Sequence, residues 1–214
     1  VSNSGDGASA RRLTPRGAAT KARIIEAANQ LMFEQGVAST TLADVRTASG
    51  TSKSQLYQHF ADKDALVSAV IEFRAEALLA QQRRRLDKVN SLRGLELWRD
   101  DMVERNALRD GAYGCPLGSM ANEIADHDQA GRELIATHFD EWLQMLINAI
   151  DRLRTLGVLR ADADPQTLAI GLLAAVQGGY LLAKTTRDVK LMRVAVDIAI
   201  ARIRAFSAES STQN

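Results

Sequence analysis

Residues 40–66 read TTLADVRTASGTSKSQLYQHFADKDAL, and the order of caps, glycine and apolar positions in them predicts two short helices followed by the start of a long one. Thr41 stands three residues before Asp44, the spacing at which a cap hydroxyl and a returning side chain satisfy the first free N–H groups of a helix. Gly50 supplies the stop. Ser52 caps a second short helix that runs to Phe60, with Leu56 and Phe60 as its inward pair, and Asp62 caps the long helix that follows. Two short helices joined by a turn containing glycine are the units of a helix-turn-helix.

The chemistry of the second short helix points to duplex DNA. Reading a major groove needs a helix with small and polar side chains on its outer face, and donors at its edges to hold phosphates. Lys53, Ser54, Gln55, Tyr57, Gln58 and His59 all carry donors, and no acidic residue occurs between Asp44 and Asp62. A glutamine such as Gln55 can both donate to and accept from adenine, a pairing worth roughly 1–3 kcal/mol of discrimination. Lys63 opens the long helix, where its charge and the free N–H groups both favour a phosphate.

The run from Ser52 to Leu66 resembles the S-x-x-x-L-Y-x-H-F-x-x-K-x-x-L signature of the TetR family of bacterial transcriptional regulators. Thr40 to Val45 and Ala48 to Gly50 match it too, so the likeness covers some 45 residues; Thr51 departs from the valine that many relatives carry there. The resemblance implies that Thr41, Lys53, Tyr57, His59 and Lys63 contact phosphates, and that Ser54, Gln55 and Gln58 face base edges. It also implies a twofold dimer on a palindromic double-stranded DNA operator, a small-molecule effector, and repression as the default mode.

Outward from this stretch the pattern stays helical. Only three prolines interrupt 214 residues, and no segment alternates apolar and polar residues long enough for a strand. The expected fold is all-α: an N-terminal three-helix bundle containing the helix-turn-helix, then a C-terminal helical regulatory and dimerisation bundle. Residues 1–16, rich in Ser, Gly and Ala with Arg11, Arg12 and Arg16, read as a flexible basic arm; residues 17–63 form the DNA-binding domain and 64–214 the effector and dimerisation domain. The first helix is expected to start near Thr20. In the long helix after Asp62, Leu66, Val70, Phe73 and Ala77 fall on one face, and Arg83, Arg84 and Arg85 make a solvated one. Five further helices follow. The last two span about 165–206, begin at the Asp164-Pro165 cap, and carry apolar residues all round the first and Leu191, Val194, Ala195, Ile198 and Ile203 along the second. A second copy of the chain is the simplest cover for such helices.

Large, adaptable side chains concentrate mid-chain as an apolar ligand cavity would require: Trp98, Met102, Tyr113, Cys115, Met120, Phe139, Trp142, Met145 and Tyr180 are the candidate effector pocket. The segment from Tyr113 to Glu123 is similar to a G-C-x-x-x-x-[LM]-A-x-E stretch in one branch of the TetR family that includes electrophile-responsive regulators. Cys115 sits between glycines at a helix start, a setting that lowers a thiol pKa, so a repressor sensing oxidants or electrophiles through Cys115 is the alternative reading.

Composition excludes other classes. The chain holds 27 basic and 26 acidic side chains, too balanced for a polycation coating nucleic acid; residues 1–63 carry 8 and 5 of them. One cysteine excludes an internal disulfide framework, and with three histidines leaves too few ligands for a structural zinc site, so no metal and no cofactor is expected. Asp126-His127-Asp128 reads as a helix-cap loop. No Ser-His-Asp set, paired carboxylates or glycine-rich phosphate loop appears, so no enzyme is expected. The first 17 residues have no apolar core of an export signal, and Leu168 to Ala183 falls short of a membrane span; the expected location is the cytoplasm, with no membrane partner.

Overall fold

The computed structural model describes residues 14–108 and 114–208. Among them are nine helices: α1 Pro15–Gln35, α2 Leu42–Ser49, α3 Lys53–His59, α4 Lys63–Leu86, α5 Leu92–Ala107, α6 Pro116–Ile124, α7 Gln129–Thr155, α8 Pro165–Thr186 and α9 Val189–Arg204. The chain divides into two compact units after Val70, within α4, where the sequence reading puts the boundary at Lys63.

In the first unit α1 packs on α2 and α3. Its buried face is Ile24, Ala28 and Met32, met by Val45 and Leu56, a stripe at the helical repeat. The helix starts five residues before Thr20, because Thr14 accepts the Gly17 N–H at 3.2 Å and Pro15 occupies the first helical position, where a missing N–H costs nothing. Pro15 and Arg16, assigned to the arm, therefore belong to α1. Residues 1–13, including Arg11 and Arg12, lie outside the described residues.

In the second unit α8 packs most extensively on α9, and also on α7, while α5 joins α9 and α6 joins α7. The stretch of α4 from Ile71 buries Ile71, Ala75, Leu78, Leu79 and Leu86. Phe73 and Ala77, expected on the inner face of α4, point outward. Polar contacts tie the helices of this unit together: the Trp98 indole N–H donates to Gln82 Oε1 at 2.8 Å, and Arg152 donates to the carbonyls of Leu86 and Val89, each at 3.0 Å.

The α9 stripe is the main departure from the sequence reading. Met192, Val196, Ile200 and Ile203 are buried, whereas Leu191, Val194 and Ile198 are exposed, so of the expected inner set only Ile203 faces the core. Two constraints set this rotation. The α8 backbone comes so close at Gly179 that a Cβ there would lie 3.0 Å from Met192 Cα, which fixes Met192 against α8. Arg193 donates to Asp100 of α5 at 2.7 Å and Asp197 pairs with Arg99, which fixes the neighbouring edge against α5.

Candidate nucleic-acid interface and regulatory cleft

Local chemistry fixes α3 at both ends. Ser52 Oγ accepts the Gln55 N–H at 3.2 Å while Gln55 Oε1 accepts the Ser52 N–H at 2.9 Å, a reciprocal capping box. At the other end the Phe60 N–H donates to the Leu56 carbonyl at 2.9 Å. Leu56 and Phe60 are buried, and burial of side chains of this size contributes about 1.5–3 kcal/mol each. The turn ahead of α3 needs its glycine: Gly50 has φ 63° and ψ 30°, left-handed backbone that a Cβ disfavours, and its N–H closes α2 on the Arg46 and Thr47 carbonyls. Thr51, in the place of valine, is buried and shares a 2.8 Å hydroxyl contact with Ser49.

With the inner face locked, Lys53, Ser54, Tyr57 and Gln58 are left exposed on the outer face, Tyr57 at 48%. The Lys53 ammonium stands 6.0 Å from the Tyr57 ring centroid, so charge and phenol form one patch. His59 is half-buried with its ring tilted on Phe60. Arg46, on the last turn of α2, is a further exposed cation that the sequence reading did not select. The patch contains no acid, and the flanking carboxylates are occupied: Asp44 by Thr41, and Asp62 by the Ala65 N–H at 2.8 Å.

Three expected contacts are engaged internally. The Thr41 hydroxyl donates to Asp44 Oδ2 at 2.6 Å and its N–H donates there at 3.0 Å, so Thr41 is a cap whose donors are both used; these bonds hold the Asp44 carboxyl below its ordinary pKa. The Lys63 ammonium donates to the Ala38 carbonyl at 3.1 Å. The Gln55 carbonyl oxygen is in the capping box, which leaves its amide N–H groups as the part free for a base; the two-point adenine contact requires that box to open.

Two family models match the chain. "Bacterial regulatory proteins, tetR family" covers residues 24–70, and "Tetracyclin repressor-like, C-terminal domain" covers residues 94–199. The HTH-type transcriptional repressor BepR of Brucella suis biovar 1 is 33% identical over 183 residues, 80% of this chain and 83% of that protein. The chain belongs to the TetR family. An HTH-type transcriptional regulator of Lactococcus lactis, encoded in the lacX 3′ region, is 27% identical over 184 residues, 84% of this chain and 90% of that protein. A TetR-family regulator from Cytophaga hutchinsonii shares the fold at a TM-score of 0.78 and 20% identity, over 92% of this chain and 98% of that one. As a member of the TetR family the protein is a helix-turn-helix, DNA-binding transcriptional regulator.

In this TetR-family chain the second unit holds a cleft of about 690 Å³ between α6, α7 and α8. Of the expected pocket residues, Cys115, Phe139 and Tyr180 line it. Trp98, Met102, Met120 and Trp142 are buried in the core away from it, Met145 is half-buried on α7 outside it, and Tyr113 lies outside the described residues. Sequence reasoning missed the polar side of the cleft: Ser119, Asn122, Gln177, Lys184 and Arg187. A search for large apolar residues passes over them, and only the fold brings α6 beside α8. Among the described residues no three His, Cys, Asp or Glu side chains converge as metal ligands would.

The structure opposes a thiolate sensor at Cys115. The residue is 3% exposed, and burial pushes its thiol pKa up despite the Gly118 and Leu117 N–H groups and the Gln177 side chain beside it. The helix start does aim N–H groups at the sulfur, as the sequence implies, but desolvation is the larger effect. Neighbouring Tyr180 is likewise held neutral, its pKa raised by burial and then by Cys115.

Proposed function

We propose that the protein is a ligand-responsive repressor that binds a palindromic operator as a homodimer, one α3 per major groove. The observation that carries the reading is the α3 surface, an acid-free row of Lys53, Ser54, Tyr57 and Gln58 on a helix locked from behind by Leu56. Lys53 and Tyr57 hold phosphates; Ser54, Gln58 and the Gln55 amide nitrogen read bases; Thr41, His59 and Lys63 add phosphate contacts on rearrangement. A repressor's name on BepR supports repression as the mode.

Dimerisation is assigned to the outer faces of α8 and α9. Ile170, Leu182, Leu191, Val194 and Ile198 are exposed there, an apolar face that a partner copy would cover. By length and composition alone α8 could cross a membrane, with 39% of its apolar window buried. Packing of one side on α7 and α9 supports the reading of a core helix with an interface side, in a cytoplasmic, non-catalytic protein. The cleft between α6, α7 and α8 is the effector site, and its occupation shifts the dimer away from the half-site spacing that fits DNA.

The test is a mobility shift on DNA upstream of the protein's own gene across a salt series. Specific binding that weakens steeply with salt is expected, and its absence refutes the reading. Replacing Tyr57 by Ala weakens all sequences alike, whereas Gln58→Ala relaxes preference at one base pair of each half-site.

A further inference from the structure

The described lining of the effector cleft carries two cations without a carboxylate partner and one unfilled donor. Lys184 and Arg187 both line it, and among the described residues neither has a carboxylate partner. Glu123 is the one acidic residue among the described lining, and it stands near the buried Arg74, whose charge it supports. Among the described lining residues the unbalanced charge is therefore positive. The Lys184 stem lies across Gly114, where a Cβ would meet its Cδ at 3.2 Å. Phe139, Leu181 and the Tyr180 ring supply apolar wall beside the polar Ser119 and Asn122.

The unfilled donor is Gln177. Among the described residues its side-chain Nε2 is buried with no hydrogen-bond partner, beside the weakly accepting Cys115 sulfur. A buried donor without an acceptor costs about 1–3 kcal/mol, a cost that an incoming acceptor removes. Gln177 and Lys184 are two helical turns apart on α8, on one face and about 10 Å along the axis. The cleft thus offers two cations, an unsatisfied donor and apolar wall in one space.

We propose that this cleft selects a flat or extended amphipathic monocarboxylate, its carboxylate held by Lys184 and Arg187 and a neutral acceptor oxygen elsewhere on the molecule taken by Gln177. A carboxylate matches a point charge and a fork donor together, and a bicyclic aromatic acid fits the volume. The inference rests on the reading of the cleft as the effector site and adds the chemical class of the effector.

The probes are 6-methoxy-2-naphthoate, its primary amide and the corresponding primary amine, titrated calorimetrically into the full-length protein. The acid is expected to bind at least tenfold tighter than the amide, and the amine not to bind. In the Lys184→Met/Arg187→Asn double variant the preference for acid over amide falls to about onefold; Asn is chosen because Arg187 has φ 57°, which Asn tolerates. Gln177→Leu brings the acid's affinity down to that of 2-naphthoate, which lacks the acceptor. Equal affinity for acid and amide, a preference for the amine, no binding of any probe, or a preference that survives the double variant each overturns the proposal. Mobility shifts with the same probes separate the two levels. If the acid binds and the operator complex persists, the effector reading falls and the carboxylate preference stands. If amide and acid release DNA alike, the chemical class falls and the effector reading stands.

Discussion

Truncating Ile198 to Ala tests the dimer face quantitatively. Ile198 is 67% exposed on α9, the most open of the large apolar residues in that helix. With roughly 140 Å² of apolar side-chain surface, about 90 Å² is open to water, and its burial at ~25 cal/mol per Å² contributes about 2.3 kcal/mol. Alanine retains about a third of that, so each copy loses about 1.5 kcal/mol. A twofold interface carries the residue twice, so the dimer loses about 3 kcal/mol, on the order of a 100-fold rise in Kd. Sedimentation equilibrium over a concentration series reads the constant directly. Leu97→Ala is the control: Leu97 is 54% exposed but lies on α5, and its loss leaves the constant unchanged. A dissociation constant for Ile198→Ala within threefold of wild type, or an equal rise in both variants, refutes the assignment of this face.

Removing the α3 cap with Ser52→Ala lowers stability by about 1 kcal/mol in urea unfolding, because the Gln55 N–H loses the Ser52 hydroxyl that accepts it. Adding a methyl at Gly179, 3.0 Å from Met192 Cα, costs about 1–3 kcal/mol, while the same change at Gly178, where nothing lies within 4 Å, costs nothing in the same assay. The Asp44 carboxyl titrates below its ordinary 3.8 because Thr41 donates to it, so its contribution to stability is present above that value and is lost as pH falls through the lower folded value; in Thr41→Val, NMR titration finds the pKa moved up towards 3.8. Cys115 reacts with a thiol reagent only as fast as the fold opens, and Cys115→Ser leaves oxidant sensitivity of operator binding unchanged.

The helix-turn-helix was legible because everything that makes it is local. Thr41 with Asp44, Ser52, Gly50 and the Leu56–Phe60 pair act within a few residues of one another, so spacing alone specifies both helices. Even here the same locality hid something. The Gln55 side chain that looks free for a base is the N3 member of the α3 cap, and the Thr41 hydroxyl that looks free for a phosphate belongs to Asp44. A donor counted from sequence carries no record of where its hydrogen bond already goes.

The sequence by itself determined that the chain is a run of helices with a DNA-reading motif near its start, since caps, stops and the 3.6-residue repeat are short-range properties. Only the tertiary structure decided which side of α9 is core and what the cleft is made of. On α9 two apolar stripes compete, Met192/Val196/Ile200 and Leu191/Val194/Ile198, and periodicity scores them alike. The choice is made by the close approach at Gly179 and by the Arg193–Asp100 and Arg99–Asp197 pairs, contacts between residues about 13 to 100 positions apart. The cleft likewise comes from α6, α7 and α8 meeting, and its character is set by Gln177, Lys184 and Arg187, whose meaning depends on having no partner among the described residues.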